Sequence, residues 1–295
     1  MAALNRPHLF VFGLGYSALA VARLLTGKVD IAGTTRDPVR AAALRAEGIA
    51  VHIFDGDRHN ADVAAALMRA THVLASVPPA GEADPVLAVH GADLVAAPDL
   101  VWVGYLSSVA VYGNYGGAWV SERSTPHPKT ERAVRRRKAE LAWQRFGIDH
   151  DIPVAVFRIA GIYGPGRNAF AALSKGRAHR VIKPGQVFNR IHVDDIAAAV
   201  AAGLLKSDGG VFNLADDEPS PPQDVVAYAA GLMGVTPPPE VSFAEASLSP
   251  MAQSFYVDNK RVDNRKMKAL TGGELLFPTY RQGLAALWTG GRWRG

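Results

Sequence analysis

Residues 8 to 22 read HLFVFGLGYSALAVA. The apolar run from His8 to Phe12 leads into Gly13-Leu14-Gly15, and apolar residues then recur at helical spacing in Leu19, Val21, Ala22 and Leu25. That order predicts a strand, a tight glycine turn and a helix. A backbone that brings its N–H groups against a pyrophosphate has no room for a Cβ at the turn, and the start of the next helix adds donors and partial positive charge. Gly13 and Gly15 meet those demands, and Ala18 takes the third position of a G-x-G-x-x-G/A pattern, where a small residue lets helix and strand pack closely. Tyr16 and Ser17, opening the helix, complete the expected phosphate-facing set.

The rest of the composition sets bounds. At 295 residues, 48% of them hydrophobic, the chain can build a well-buried core in one large or two interleaved domains. It has no cysteine, which excludes disulfides, thiolate metal sites and cysteine nucleophiles and suits a reducing compartment. With no recognisable export signal and no apolar run of roughly 18 residues, a cytoplasmic protein that does not engage a membrane is expected. The net charge of +5 is compatible with an anionic partner but is too modest to choose between a dinucleotide and nucleic acid.

Outward from the glycine turn, strand patterns at Leu9–Phe12, Val29–Thr34, Ala50–Phe54, His72–Ser76, Leu100–Tyr105 and Val154–Ile159 alternate with helical ones. The helices are expected at Ser17–Thr26, Pro38–Gly48, Ala61–Ala70, Asp84–Ala97 and Thr130–Gly147. Such alternation specifies parallel strands joined by right-handed crossovers. The expected fold is therefore α/β, a doubly wound, Rossmann-like parallel sheet, with ligands at the carboxyl ends of its strands. After Gly164-Pro165-Gly166 the elements shorten and are broken by proline-rich segments, which predicts a smaller C-terminal substrate lobe. The division expected is residues 1–165, joined by about 187–215, for the dinucleotide domain, with 166–295 mainly in the interleaved lobe.

The second strand ends Thr34-Thr35-Arg36-Asp37-Pro38, with no carboxylate where a free ribose 2′-hydroxyl would need one. An arginine fork matches a 2′-phosphate that a carboxylate would repel, so NADP is expected in preference to NAD, held by Thr34, Thr35 and Arg36. Arg36 also reads as a solvated residue ahead of a helix capped by Asp37 with Pro38 at its first position. Asp55 is placed to meet the adenine edge or to form a turn. Ser76 and Pro78, past the fourth strand, are further expected cofactor contacts.

Four later segments carry a more specific signal: Ser107-Ser108-Val109-Ala110-Val111-Tyr112-Gly113, Arg158-Ile159-Ala160-Gly161-Ile162-Tyr163-Gly164, Arg190-Ile191-His192-Val193-Asp194-Asp195 and Phe212-Asn213-Leu214-Ala215. In this order behind a glycine turn, they resemble the extended short-chain dehydrogenase/reductase family of NAD-dependent epimerases and dehydratases. In that family a serine or threonine orients the substrate oxygen, a tyrosine is the general acid/base, and a lysine four residues later lowers its pKa and holds the nicotinamide ribose. Matched through Tyr112, the family serine falls on Ser108; matched through Lys138-Ala139-Glu140-Leu141, the tyrosine and lysine fall on Arg132 and Arg136. Arginine keeps its proton at physiological pH and cannot exchange it in a hydride-transfer cycle. The resemblance is thus to an atypical branch lacking the tyrosine–lysine pair, with Arg136 left as a ribose or phosphate contact and Glu140 as a helix-surface residue.

Tyr115, in the glycine-rich loop 113–117, is the freer candidate to replace the tyrosine, whereas Tyr112 and Tyr163 occupy positions that mainly pack. His192, Asp194 and Asp195 read as a helix start capped by Asp194 rather than a metal site, and no metal centre is expected. The basic run Arg132 to Lys138 lacks interleaved aromatics, so no nucleic-acid partner is expected. Arg167 and Arg190 are candidate contacts for an anionic substrate held between the lobes. The resulting expectation is an NADP-binding oxidoreductase or epimerase/dehydratase-like enzyme acting on a small polar carbonyl or alcohol, with a sugar-linked one among those the resemblance implies. The rival is a non-catalytic NADP(H)-binding sensor. The resemblance also implies a homodimer.

Overall fold

The computed structural model describes residues 6–295. The alternation of apolar runs and amphipathic stretches becomes β1 (His8–Phe12), α1 (Tyr16–Leu25), β2 (Asp30–Thr35), α2 (Pro38–Ala46), β3 (Ala50–Ile53), α3 (Ala61–Leu67), β4 (His72–Ala75), α4 (Pro85–Ala96), β5 (Trp102–Ser108) and α5 (Glu131–His150). One sheet of seven strands results, in the order Gly210–Leu214, Val154–Ile159, β5, β4, β1, β2, β3. From β5 to β3 every neighbouring pair runs parallel. The order reverses beside β1, which is where a doubly wound sheet opens a crevice at its strand ends.

The chain divides into two compact units. The first holds residues up to Ser108 with 131–158 and 197–212; the second holds 109–130, 159–196 and 213–295. The lobe therefore begins earlier than the proline pattern suggests, because 109–130 and 187–196 group with it. The first unit's core packs Phe10, Phe12, Phe54, Trp143, Phe146 and Val156 on the sheet. Within the second unit, short strands pair in twos, Gly161–Tyr163 with Arg190–His192 and Trp119–Val120 with Arg261–Val262, beside a cluster of Tyr163, Phe170, Tyr280, Leu284 and Trp293.

Two boundaries differ from the sequence reading for physical reasons. The helix expected to stop at Gly147 runs on to His150. A Cβ on Gly147 would stand 2.6 Å from both the Ile152 carbonyl and Val154 Cγ2, so the glycine admits the incoming strand rather than ending the helix. The helix expected to be capped by Asp194 begins at Val193, which puts Asp194 inside its first turn. The first-turn amide of Asp194 donates to His192 Nδ1 at 3.1 Å, so an imidazole does the capping that the reading gave to Asp194.

Candidate functional site

The glycine turn is held from below by threonine. The Gly13 amide donates to Thr34 Oγ1 (2.9 Å) and the Leu14 amide to the Thr34 carbonyl (2.8 Å), tying the turn to β2. Thr34 is 1% exposed, and the Thr35 hydroxyl accepts from the Asp37 amide at 3.3 Å. Both threonines thus serve the backbone around the site.

The two glycines of the turn differ. Gly13 has φ +86°, and a Cβ there would lie 3.1 Å from Val77 Cγ2 and 3.3 Å from the Val77 amide nitrogen, so the fold itself requires a glycine. Gly15 has φ −80° and ψ −171°, open to any residue, and a Cβ on it would meet nothing closer than the Gly13 carbonyl at 4.0 Å. Nothing among the described residues demands a glycine at position 15.

Gly15 is also the N-cap of α1, which has no side-chain cap. The next three helices are each capped: Asp37 accepts from Val39 and Arg40, Asn60 from Asp62, and Asp84 from Val86 and Leu87. The uncapped helix start and the space above Gly15 lie together, and both fit an external anion bound by first-turn amides. Beneath them Ala18 is fully buried and Ser17 nearly so, while Tyr16 is half-buried. Arg40 donates from Nη2 to the Leu14 carbonyl at 2.8 Å, bracing the turn from α2, and Arg36 is exposed just past β2.

Because the strands are parallel, the ends of β1, β2, β4 and β5 share one edge of the sheet. Ser76 and the exposed Pro78 follow β4, the Ser76 amide donating to the Phe12 carbonyl at 2.9 Å. Asp55 accepts from the amides of Asp57 and Arg58 and from the Arg58 guanidinium, which hold its carboxyl down at about 2. It is a turn former, with its oxygens already engaged.

Ser108 closes β5, where the sequence reading had it beyond the strand, and is half-buried. Its neighbour Ser107 points the other way, donating to Glu140 Oε1 at 2.6 Å. Glu140 is the clearest departure from expectation: it is fully buried rather than on a helix surface. It accepts from Arg158 Nε (3.1 Å) and Nη2 (2.8 Å) and from Arg137 Nη1 (2.8 Å). Arg136 lies half-buried on the same helix, donating to the Tyr105 hydroxyl and the Leu106 carbonyl, both at 3.0 Å. That puts its guanidinium at the mouth of β5, two residues from Ser108. The rest of the basic run is paired with acids, Arg135 with Glu131 and Lys138 with Glu82, and Arg132 is exposed.

The remaining candidates lie in the second unit. Tyr112 is fully buried and donates to Asn213 Oδ1 at 2.7 Å. Tyr163 is buried edge-on against His192, its hydroxyl pKa raised by burial. Tyr115 donates to the Thr125 carbonyl at 2.5 Å, and its loop is pinned by hydrogen bonds from the Tyr115 and Gly117 amides to the Asn259 carbonyl. Arg167 is an exposed loop residue. Arg190 is not: it sits in a strand, bonded to the Phe188 carbonyl and to Ser220, and burial lowers its pKa.

Two acids take places that the sequence reading did not give them: Asp195, read there only as part of a helix start, and Asp216, not singled out at all. Asp195 accepts from the amides of Leu276 (2.6 Å) and Phe277 (3.1 Å), and burial raises its carboxyl to about 6. Asp216 is 1% exposed, and burial pushes it to about 8.

No family model matches the chain. A conserved protein of unknown function from Silicibacter pomeroyi is 46% identical, with a TM-score of 0.87 over 96% of this chain and 99% of that one. This chain belongs to that protein's family. A dTDP-glucose 4,6-dehydratase from Bacillus anthracis, solved in complex with NAD, superposes with a TM-score of 0.77 over 97% of this chain and 96% of its own at 16% identity. The family therefore has the epimerase/dehydratase fold that the four motifs suggest. A 3-diazoavenalumate denitrifying reductase from a Streptomyces species is 27% identical over 165 residues, 52% of either chain, so this chain matches about half of that reductase's length.

Proposed function

We propose that the protein binds a nicotinamide dinucleotide, NADP in preference to NAD, and acts as an oxidoreductase or epimerase/dehydratase-like enzyme on a small polar carbonyl or alcohol. The observation that carries this is the open space over Gly15, a glycine with no internal reason to be one, at the start of a helix without a side-chain cap. The dinucleotide bound to the Bacillus anthracis dehydratase of like fold supports the class of ligand. Arg36, exposed past β2 with no acidic residue at the strand end, supports the 2′-phosphate.

When bound, the nicotinamide supplies or accepts a hydride. The chain's own part is to bind and orient. First-turn amides of α1 hold the pyrophosphate, Arg36 the 2′-phosphate, and Arg136 a ribose hydroxyl or phosphate oxygen near β5. The Ser108 hydroxyl orients a substrate oxygen by hydrogen bonding. With arginine at 132 and 136, helix α5 offers no phenol to exchange a proton, which favours one-way reduction in which water supplies the proton over reversible epimerisation. The similarity to a reductase agrees with that direction.

The test is a fluorescence titration of the wild type and Arg36→Ala with NADPH and NADH. A charge-assisted contact contributes about 1.5–3 kcal/mol. NADPH should therefore bind at least about tenfold tighter than NADH, and the substitution should remove that preference while leaving NADH affinity unchanged. Equal binding of the two cofactors, unaltered in Arg36→Ala, would overturn the phosphate assignment.

A further inference from the structure

Apart from the glycine turn, the first unit brings together His59, in the loop ahead of α3, and His90 and Asp93, one turn apart on α4. We propose that these three side chains form a site for a single divalent transition ion of borderline softness, with Zn2+ as the reference case.

Their ligating atoms all lie within 4.8 Å of one another. His59 Nε2 and His90 Nδ1 aim at the same oxygen, Asp93 Oδ2, at 2.9 and 2.7 Å. Spacing of i, i+3 puts His90 and Asp93 on one helix face, and the donor set of two imidazoles and one carboxylate is what Zn2+ and its first-row neighbours take where thiolates are absent.

The burial of His90 gives the second argument. Its side chain is fully buried against Phe12 and edge-on to Phe54, and its Nε2 has no hydrogen-bond partner among the described residues. A neutral imidazole carries one ring proton. With that proton on Nδ1, the Nε2 lone pair is buried among aromatic rings. With it on Nε2, that N–H lies buried against the rings with or without an ion, but two lone pairs, on Nδ1 and Oδ2, face each other at 2.7 Å, and a cation between them turns that repulsion into two bonds.

Access and room also fit. The His59 side chain is 54% exposed and that of Asp93 20%, so the cluster opens to solvent on one side, leaving a position for water as fourth ligand. Tetrahedral bonds of about 2.0–2.1 Å place ligand atoms roughly 3.3 Å apart, so occupancy asks the carboxylate to retreat by about half an ångström. A bound ion would tie the loop after β3 to α4, beside the aromatic side chain that ends β1.

Tag-free protein, stripped with chelator and dialysed, is titrated with Co2+ and followed by its visible ligand-field bands. The expected result is saturation at one Co2+ per chain, displacement by Zn2+, and loss of the bands in both His59→Ala and Asp93→Asn. His59 is half-exposed, so its substitution leaves the core intact and decides the matter even if Asp93→Asn folds poorly. A wild type without saturable bands, or bands kept in His59→Ala, would overturn the site and leave a hydrogen-bonded His–Asp–His triad.

Discussion

The contrast between Gly13 and Gly15 separates a glycine kept for the fold from one kept for a ligand. In Gly15→Ala the new methyl enters open space at an ordinary φ of −80°. Alanine is a poorer N-cap than glycine by about 0.5–1 kcal/mol, but stiffening the unfolded chain returns about 0.4–1 kcal/mol. Net stability should therefore stay within about 0.5 kcal/mol of wild type. Binding is another matter, since the methyl stands where the pyrophosphate would approach the α1 amides. Losing one or two charge-assisted hydrogen bonds, at about 1.5–3 kcal/mol each, weakens NADPH by about a hundredfold. Gly13→Ala should do the reverse in the first assay: the left-handed backbone costs about 1–2 kcal/mol, and the contact at Val77 adds to it. Urea unfolding followed by circular dichroism measures the stability of both variants, and NADPH fluorescence measures affinity. A Gly15→Ala protein of wild-type stability that binds NADPH within threefold of wild type would refute the reasoning.

Two further substitutions test the buried charges. Glu140→Gln removes the carboxylate from Arg158, which is 2% exposed, and from Arg137; breaking a buried pair should cost about 3–5 kcal/mol, and a loss below about 1 kcal/mol in urea unfolding would mean the network is not built as described. Asp216 has a folded carboxyl raised to about 8 by burial, so it keeps its proton on folding while the unfolded chain loses it above about 4. Its contribution is whole at low pH and fades as pH rises from about 4 towards 8, by up to about 1.4 kcal/mol per unit. Asp216→Asn should therefore melt higher than wild type at pH 8, with the gap closing towards pH 4; an unchanged slope between about 6 and 8, above the value of Asp195, would sink the assignment.

What could be read from the sequence is what leaves a local mark. The glycine turn, the alternation of elements and the cap at Asp37 all follow from residue types at fixed short spacings, and each is where the spacing put it. Two of the departures concern partners far apart in the chain. Glu140 sits in a basic helix, so its surroundings in sequence predict a solvated face; its partners Ser107 and Arg158 are 33 and 18 residues away. His59 and Asp93 are 34 apart, and no spacing rule joins a loop histidine to a helix three elements later. His192 was weighed as a ligand and Asp194 as a cap, whereas the cap is the imidazole, because the helix starts one turn sooner than its apolar stripe.

The arginines at 132 and 136 bear on both readings of the protein and separate them. Arg136 is fixed by two hydrogen bonds at the mouth of β5, so position 136 still points a cation towards the strand that ends in Ser108. A charge there can hold an anionic or hydroxyl group without exchanging a proton; under the proposed match of position 136 to the lysine of the extended family, it would keep the binding part of that residue's task and not the part that tunes an acid. Arg132, proposed to stand at the tyrosine position, is exposed, and an arginine there would not exchange a proton. Under the proposed reading, a binding element without a proton-transfer element would suit reduction of an acceptor that takes its proton from water, and would suit a sensor equally in its binding half. Ser108 decides between them. In the sensor reading the Ser108 hydroxyl orients no substrate, so Ser108→Ala should leave NADPH affinity unchanged in either case and should lower turnover only if the protein is an enzyme.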